Sequence, residues 1–198
     1  MAKDDDDDGK HVDGSSVVLA MERLARLMRS AEHEGDLNPA QWEALRFLSR
    51  ANRFSNSPGA LTRYLGATKG TISQTVMALE RKGLVAKSAR DGEKRSVVLD
   101  LSAVGKTALA RDPWAQLAKS ADDLGGKTRR RLARGLREML AAELQRGGHA
   151  SFGVCASCKY FREKGRDRDA AGPHHCMLFE APLSAAESQK ICVEHQAP

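Results

Sequence analysis

Apolar residues recur every three or four positions along most of the chain from residue 17 to residue 145, which predicts a succession of amphipathic helices. Asn38-Pro39, Ser57-Pro58 and Thr68 mark helix starts, because a capping side chain or an N-terminal proline favours the first turn. Gly66 and Gly83 mark helix ends. The pattern predicts four helices before residue 84, with these apolar stripes: Val17, Met21, Leu24 and Met28; Trp42, Leu45 and Leu48; Leu61, Tyr64 and Leu65; Ile72, Val76 and Leu79.

The period changes after the fourth helix. Leu84 to Ala89 and Ser96 to Leu101 are rich in apolar and β-branched residues, and the second stretch alternates. Between them, residues 90–95 are polar and contain Asp-Gly, a signal for a tight turn. These features predict a β-hairpin.

Helical spacing returns after the hairpin. Ser102 is expected to cap a helix through Leu109, Pro113 to mark a break or a new start, and Lys127 to Gln145 to form a long helix. Three helices, a hairpin and a further helix follow the plan of a winged helix-turn-helix. The predicted class is therefore mainly α with a β-hairpin wing, followed by a small C-terminal module.

Charge and composition divide the chain into three parts. Residues 1–16 carry six aspartates against two lysines and are expected to be a disordered acidic tail. Residues 17–148, the expected DNA-binding and dimerisation domain, carry 24 Lys and Arg against 14 Asp and Glu, a net charge of +10. Residues 149–198 carry six Lys and Arg against six Asp and Glu, and they contain all four cysteines. A basic domain next to neutral and acidic segments favours a polyanionic partner.

Several function classes are not expected. No apolar stretch is long enough to be a signal peptide or a membrane helix, so a cytoplasmic location without a membrane partner is predicted. No Gly-rich phosphate loop, Ser-His-Asp spacing or paired carboxylates indicate an enzyme.

The helix from Thr68 to Lys82 has the side chains that a recognition helix needs. Its predicted exposed face is rich in small or medium hydrogen-bonding groups, and Glu80, at the far end, is its one acid. The first turns of such a helix reach base edges in the major groove. The expected contacts are Thr68, Lys69, Gly70, Thr71, Ser73, Gln74 and Thr75, joined at the hairpin tip by Arg90, Lys94 and Arg95, which would lie over the minor groove. Asp91 is expected to fix the turn and orient Arg95.

Residues 37–109 resemble the MarR family of transcription regulators. Asn38-Pro39-Ala40-Gln41-Trp42 is similar to the start of the family's second helix, and residues 65–74 are similar to its recognition helix. Residues 79–85 resemble the exit from that helix, and Asp91 and Arg95 with residues 99–102 resemble the wing. The resemblance implies double-stranded DNA as partner and an obligate homodimer, with the first and last helices of the domain interlocked. A small-molecule effector is a further partner that the family admits.

Four cysteines within residues 155–192 indicate a metal site, because clustered thiols in a cytosolic chain bind metal or carry out redox chemistry. Cys155-x2-Cys158 and Cys192-x2-His195 have the spacing of zinc knuckles, with Cys176 in reserve. The alternative is an iron–sulfur cluster on Cys155, Cys158, Cys176 and Cys192. Thiol or disulfide chemistry is the third possibility.

Two stretches of this segment resemble the cluster loops of high-potential iron–sulfur proteins: residues 155–161 and residues 176–179. The resemblance implies an iron–sulfur cluster with apolar and aromatic residues beside the thiolates. Together the parts predict a regulator of the MarR type that senses redox or iron–sulfur status. The alternatives are a regulator with a structural or sensing zinc site and an electron carrier with incidental DNA binding.

Overall fold

The structure is a computed structural model that describes residues 13–33, 35–90, 93–164 and 171–198, with the backbone alone for 93–95. The chain divides after Pro39 into two units. The first contains α1, Gly14–Glu32, which begins where the Asp13 carboxylate accepts the Ser16 N–H at 2.9 Å. Residues 13–16, assigned to the tail by sequence, therefore belong to a capped helix start, while residues 1–12 of the predicted tail lie outside the described residues.

The second unit begins with three helices: α2 (Pro39–Arg50), α3 (Pro58–Leu65) and α4 (Lys69–Arg81). The predicted caps at Ser57 and Thr68 form: the Ser57 hydroxyl accepts the Ala60 N–H, and the Thr68 hydroxyl accepts the Thr71 N–H. Gly66 ends α3 in the left-handed conformation, with φ of 61°. The apolar stripes meet in one core, which includes Trp42, Leu45, Phe47, Leu48, Leu61, Ile72, Val76 and Leu79.

The predicted hairpin forms from β1 (Val85–Arg90) and β2 (Glu93–Leu101). The strands are antiparallel, with Val85 opposite Leu101 and an irregularity at Ala89 and Arg90. Val85 and Leu99 are buried, which joins the hairpin to the helical core.

Three helices follow: α5 (Ala103–Leu109), capped by Ser102 as expected, α6 (Pro113–Asp122) and α7 (Gly126–Arg146). Neither α6 nor α7 buries a described residue. Their exposed apolar side chains are Trp114, Leu132, Leu136, Met139 and Leu140. Among the described residues, every helix is too short or too polar to span a bilayer.

The C-terminal segment begins with a 3₁₀ turn at Cys155–Ser157. It continues as an antiparallel sheet of β3 (Phe161–Arg162), β4 (His174–Cys176) and β5 (Ala181–Leu183), and then α8 (Ala185–Ser188). The segment packs on the second unit: Ile191 pairs with Ala51, and Asn52 N–H donates to Ile191 C=O at 3.0 Å. The predicted boundary at Gly147-Gly148 thus ends α7 but does not separate an independent body.

Candidate DNA interface and cysteine centre

The first turns of α4 present a polar, exposed face. Thr68, Lys69, Gly70, Thr71, Ser73 and Gln74 are all exposed, as the sequence predicts for base contacts. Glu80, the acid at the far end, pairs with Lys87 at 2.6 Å. The face therefore combines hydrogen-bonding groups with a positive charge at the start of a helix, which suits phosphate and base edges.

Thr75 does not belong to this face, which corrects the prediction from sequence. Its side chain is buried, and its hydroxyl donates to the Thr71 carbonyl at 3.0 Å. Thr75 follows Ile72 by three positions and precedes Val76 and Leu79, so it lies on the edge of the buried stripe. A hydroxyl bonded to its own helix has no donor left for a base.

The wing differs in part from the predicted interface. The Arg90 guanidinium donates to the Arg53 carbonyl at 2.9 Å and also contacts Asn56, so Arg90 fastens the wing to the loop before α3 instead of extending from the tip. The side chains of Lys94 and Arg95 and the predicted turn residue Asp91 lie outside the described residues. Their roles remain predictions.

All four cysteines line one cavity. Cys155 and Cys158 come from the 3₁₀ turn, Cys176 from β4 and Cys192 from the chain after α8, and all are free thiols. The walls are almost wholly apolar or sulfur, and the cavity volume is about 10 Å³. The other lining residues are Asn52, Phe54, Tyr160, Phe161, Leu178, Phe179, Leu183 and Glu194.

The two buried thiols interact. A hydrogen bond from the Cys155 thiol lowers the pKa of Cys192 to about 6, against the opposite effect of burial. Asn52, Ser55 and the Glu194 backbone also donate to that sulfur. The same thiol–thiol bond, with burial, raises the pKa of Cys155. These contacts favour the thiolate form at Cys192 over Cys155, and the thiolate is the form of cysteine that binds metal.

His195, the alternative zinc ligand, is held outside the cavity. Its Nε2 lies 3.1 Å from the Ser157 hydroxyl and from the Ser157 carbonyl, and its Nδ1 lies 3.3 Å from the Ser151 hydroxyl. Within the described ranges, no three His, Cys, Asp or Glu side chains converge to hold a single metal ion.

Four thiols, aromatic walls and an N–H donor to sulfur are the groups that would hold and shield an iron–sulfur cluster in this cavity. Apolar walls limit water, and hydrogen bonds to sulfur tune the potential. The sequence predicts the thiols and the aromatic residues of the module. It misses Asn52, Phe54 and Ser55, which lie about 100 residues earlier in the chain and carry no motif of a metal site.

Gly153→Ala tests the structural role of His195. An added methyl group at Gly153 would overlap the His195 ring, so the substitution is expected to lower the free energy of unfolding by about 1–3 kcal/mol through overpacking. Adding His195→Ala should restore most of that loss, measured by urea unfolding of the two single variants and the double variant. No restoration would mean that the ring lies elsewhere in solution, as a zinc ligand would require.

Comparisons with known proteins place the fold. Residues 35–96 match the sequence profile of the MarR family. MepR of S. aureus in its DNA-binding conformation has a TM-score of 0.55 and 17% identity, over 66% of this chain and 98% of that chain. A point mutant of S. aureus MepR has a TM-score of 0.53 and 16% identity, over 66% of this chain and 98% of that chain. No curated protein matches the chain. Residues 35–96 are therefore similar to the MarR family, and the likeness to the solved structures shows the fold, a winged helix. The family match ends well before the cysteines.

Proposed function

We propose that this chain is a dimeric, DNA-binding transcription regulator of the MarR type whose four cysteines hold an iron–sulfur cluster that controls DNA binding. The observation that carries the proposal is the shared cavity. Thiols from three separate stretches of the C-terminal segment line it together with Asn52 and Phe54, which lie between α2 and α3. A cluster bound there would supply one-electron chemistry and sensitivity to oxidants.

The DNA-binding part of the proposal is supported by α4 and by charge. The exposed face of α4 has the side chains of a recognition helix, and residues 17–148 carry the basic excess of the chain. The fold of that part is the one that S. aureus MepR has in its DNA-binding conformation. Two copies of one such helix would read two half-sites, which gives the specificity that one helix lacks.

The apolar faces of α1 and α7 support the dimer. Val17, Met21 and Leu24 on α1 are exposed, and so are Leu136 and Leu140 on α7. Stripes of this size on helices of one chain are expected to be covered by a second copy. The resemblance to MarR proteins implies a dimer interface on these two helices, and the exposed apolar stripes support it.

Lys69→Ala and Gln74→Ala are expected to weaken specific DNA binding about tenfold or more each, because a good base contact contributes about 1–3 kcal/mol of discrimination. Non-specific binding should fall much less. The matched controls are Lys119→Ala and Gln116→Ala on α6, which remove the same exposed groups from another helix. Gel shifts on a selected palindrome and on random DNA measure both quantities. If the variants lose the same affinity for the palindrome as for random DNA, or if the α6 controls lose as much affinity as the α4 variants, then α4 does not read the bases.

A further inference from the structure

The loop between α2 and α3, residues 51–57, joins the cysteine cavity to the DNA-binding elements. On the module side, Ala51 pairs with Ile191, and the Ser55 hydroxyl accepts the Val193 N–H at 2.8 Å. Arg53 pairs with Glu187 at 2.6 Å. These contacts hold the chain on both sides of Cys192 against one short loop.

Asn52 is the polar side chain by which this loop enters the cavity. It is fully buried, and its amide nitrogen donates to the Cys155 sulfur at 3.2 Å. Its amide oxygen accepts the Phe54 N–H at 3.1 Å. The Phe54 ring also lines the cavity and stacks on Phe179, with centroids 4.1 Å apart. The orientation of Asn52 is thus defined by the loop and by the thiol together.

The opposite side of the same loop holds the wing and starts α3. The Asn56 carbonyl accepts the Leu99 N–H at 2.8 Å, and the Asn56 amide donates to Asp100 at 3.1 Å, both on β2. Arg90 on β1 donates to the Arg53 carbonyl. Ser57 caps α3, the helix that packs on α4. Displacement of this loop would therefore move the wing and the helix-turn-helix.

We propose that Asn52 is the positioning residue through which the cysteine centre acts on DNA binding. The inference rests on the cluster of the proposed function. When Cys155 is a cluster ligand, its sulfur carries negative charge, and the Asn52 N–H makes a charge-assisted hydrogen bond to it. When the cluster is lost, Cys155 is no longer fixed as a ligand, and movement of its sulfur would break the 3.2 Å contact with Asn52. The two states then differ in a contact of the loop, which is what coupling between two sites requires.

The hydrogen bond should also tune the cluster. An N–H donor to a ligand sulfur stabilises the more negative state and raises the potential. The effect gives a readout that a purely structural side chain would not change.

The test uses Asn52→Ser, whose hydroxyl can still accept the Phe54 N–H but is too short to reach Cys155, and Asn52→Leu, which keeps the size and removes both bonds. Gln189→Leu, an exposed amide on α8's end, is the matched control. Each full-length protein is prepared loaded with iron and sulfide and also metal-free. Iron content, midpoint potential with soluble mediators, and DNA affinity are measured in both forms.

Wild type and Gln189→Leu should differ at least tenfold in DNA affinity between loaded and metal-free forms. In Asn52→Ser and Asn52→Leu that ratio should fall toward one, and the potential should fall by about 59 mV, a tenfold change in a one-electron equilibrium. Loss of iron from the Asn52 variants alone would make Asn52 a structural support of the cluster and would overturn the positioning role. If the Asn52 variants keep the cluster, the wild-type potential and the wild-type ratio of DNA affinities, the positioning role is wrong. Metal-free Asn52 variants that bind DNA less tightly than metal-free wild type would also overturn it. A wild type without iron or sulfide would instead overturn the proposed function.

Discussion

Cys176→Ser is expected to remove the brown colour of the anaerobically purified protein and nearly all of its iron. Cys176 lies in β4, between β3 and β5, and lines the cavity with the other three thiols. A cluster held by four thiolates loses one ligand in this variant, and the serine oxygen is a poor substitute for sulfur. The absorption band and the acid-labile sulfide should fall together.

His195→Ala is the matched control for Cys176→Ser. Because both ring nitrogens of His195 contact serines and not the cavity, this variant should keep the colour and the iron. A zinc site predicts the reverse pattern: a colourless protein whose zinc content falls in His195→Ala and hardly changes in Cys176→Ser. That result would show that the cysteine centre binds zinc and not an iron–sulfur cluster.

Leu136→Asp is expected to weaken the dimer by at least 100-fold and to abolish tight binding to a two-fold operator. The substitution removes apolar area worth about 1.5–3 kcal/mol when buried and puts an unpaired charge in an apolar seam of each copy. Gln145→Asp adds the same charge at an exposed polar position of α7 and should leave the dimer intact. Sedimentation equilibrium measures both variants.

A wild type that is monomeric in sedimentation, and still binds the two-fold site tightly, would contradict the dimer. Leu136→Asp behaving as Gln145→Asp would remove α7 from the interface.

The helices and the hairpin could be predicted because their signals are local. Ser57, Thr68 and Ser102 cap the helices they were expected to cap, since a hydroxyl reaches an N–H only three residues away. Thr75 shows the limit of this approach. Its polarity suggested exposure, but a threonine can bury its methyl group on the apolar stripe while its hydroxyl bonds within the helix.

Of the residues that line the cavity, the sequence could predict only those of the C-terminal segment that carries the cysteines. Clustered cysteines and neighbouring aromatic residues indicate a metal centre, but spacing alone does not distinguish His195 from Cys176 as a ligand. In the structure, contacts of Ser151, Ser157 and Gly153 with the His195 ring lie outside the cavity that Cys176 lines, and no local sequence pattern marks these contacts. Asn52 reaches Cys155 across 103 positions, and no local pattern marks such a contact.

Metal and sulfide analysis of the anaerobically purified wild type, with its ultraviolet–visible spectrum, tests the central claim most directly. A cluster on Cys155, Cys158, Cys176 and Cys192 predicts iron and acid-labile sulfide in about equal amounts and a broad sulfide-to-iron absorption band. Protein that contains about one zinc per chain, no iron and no visible band would contradict the cluster and assign the four-cysteine centre to zinc.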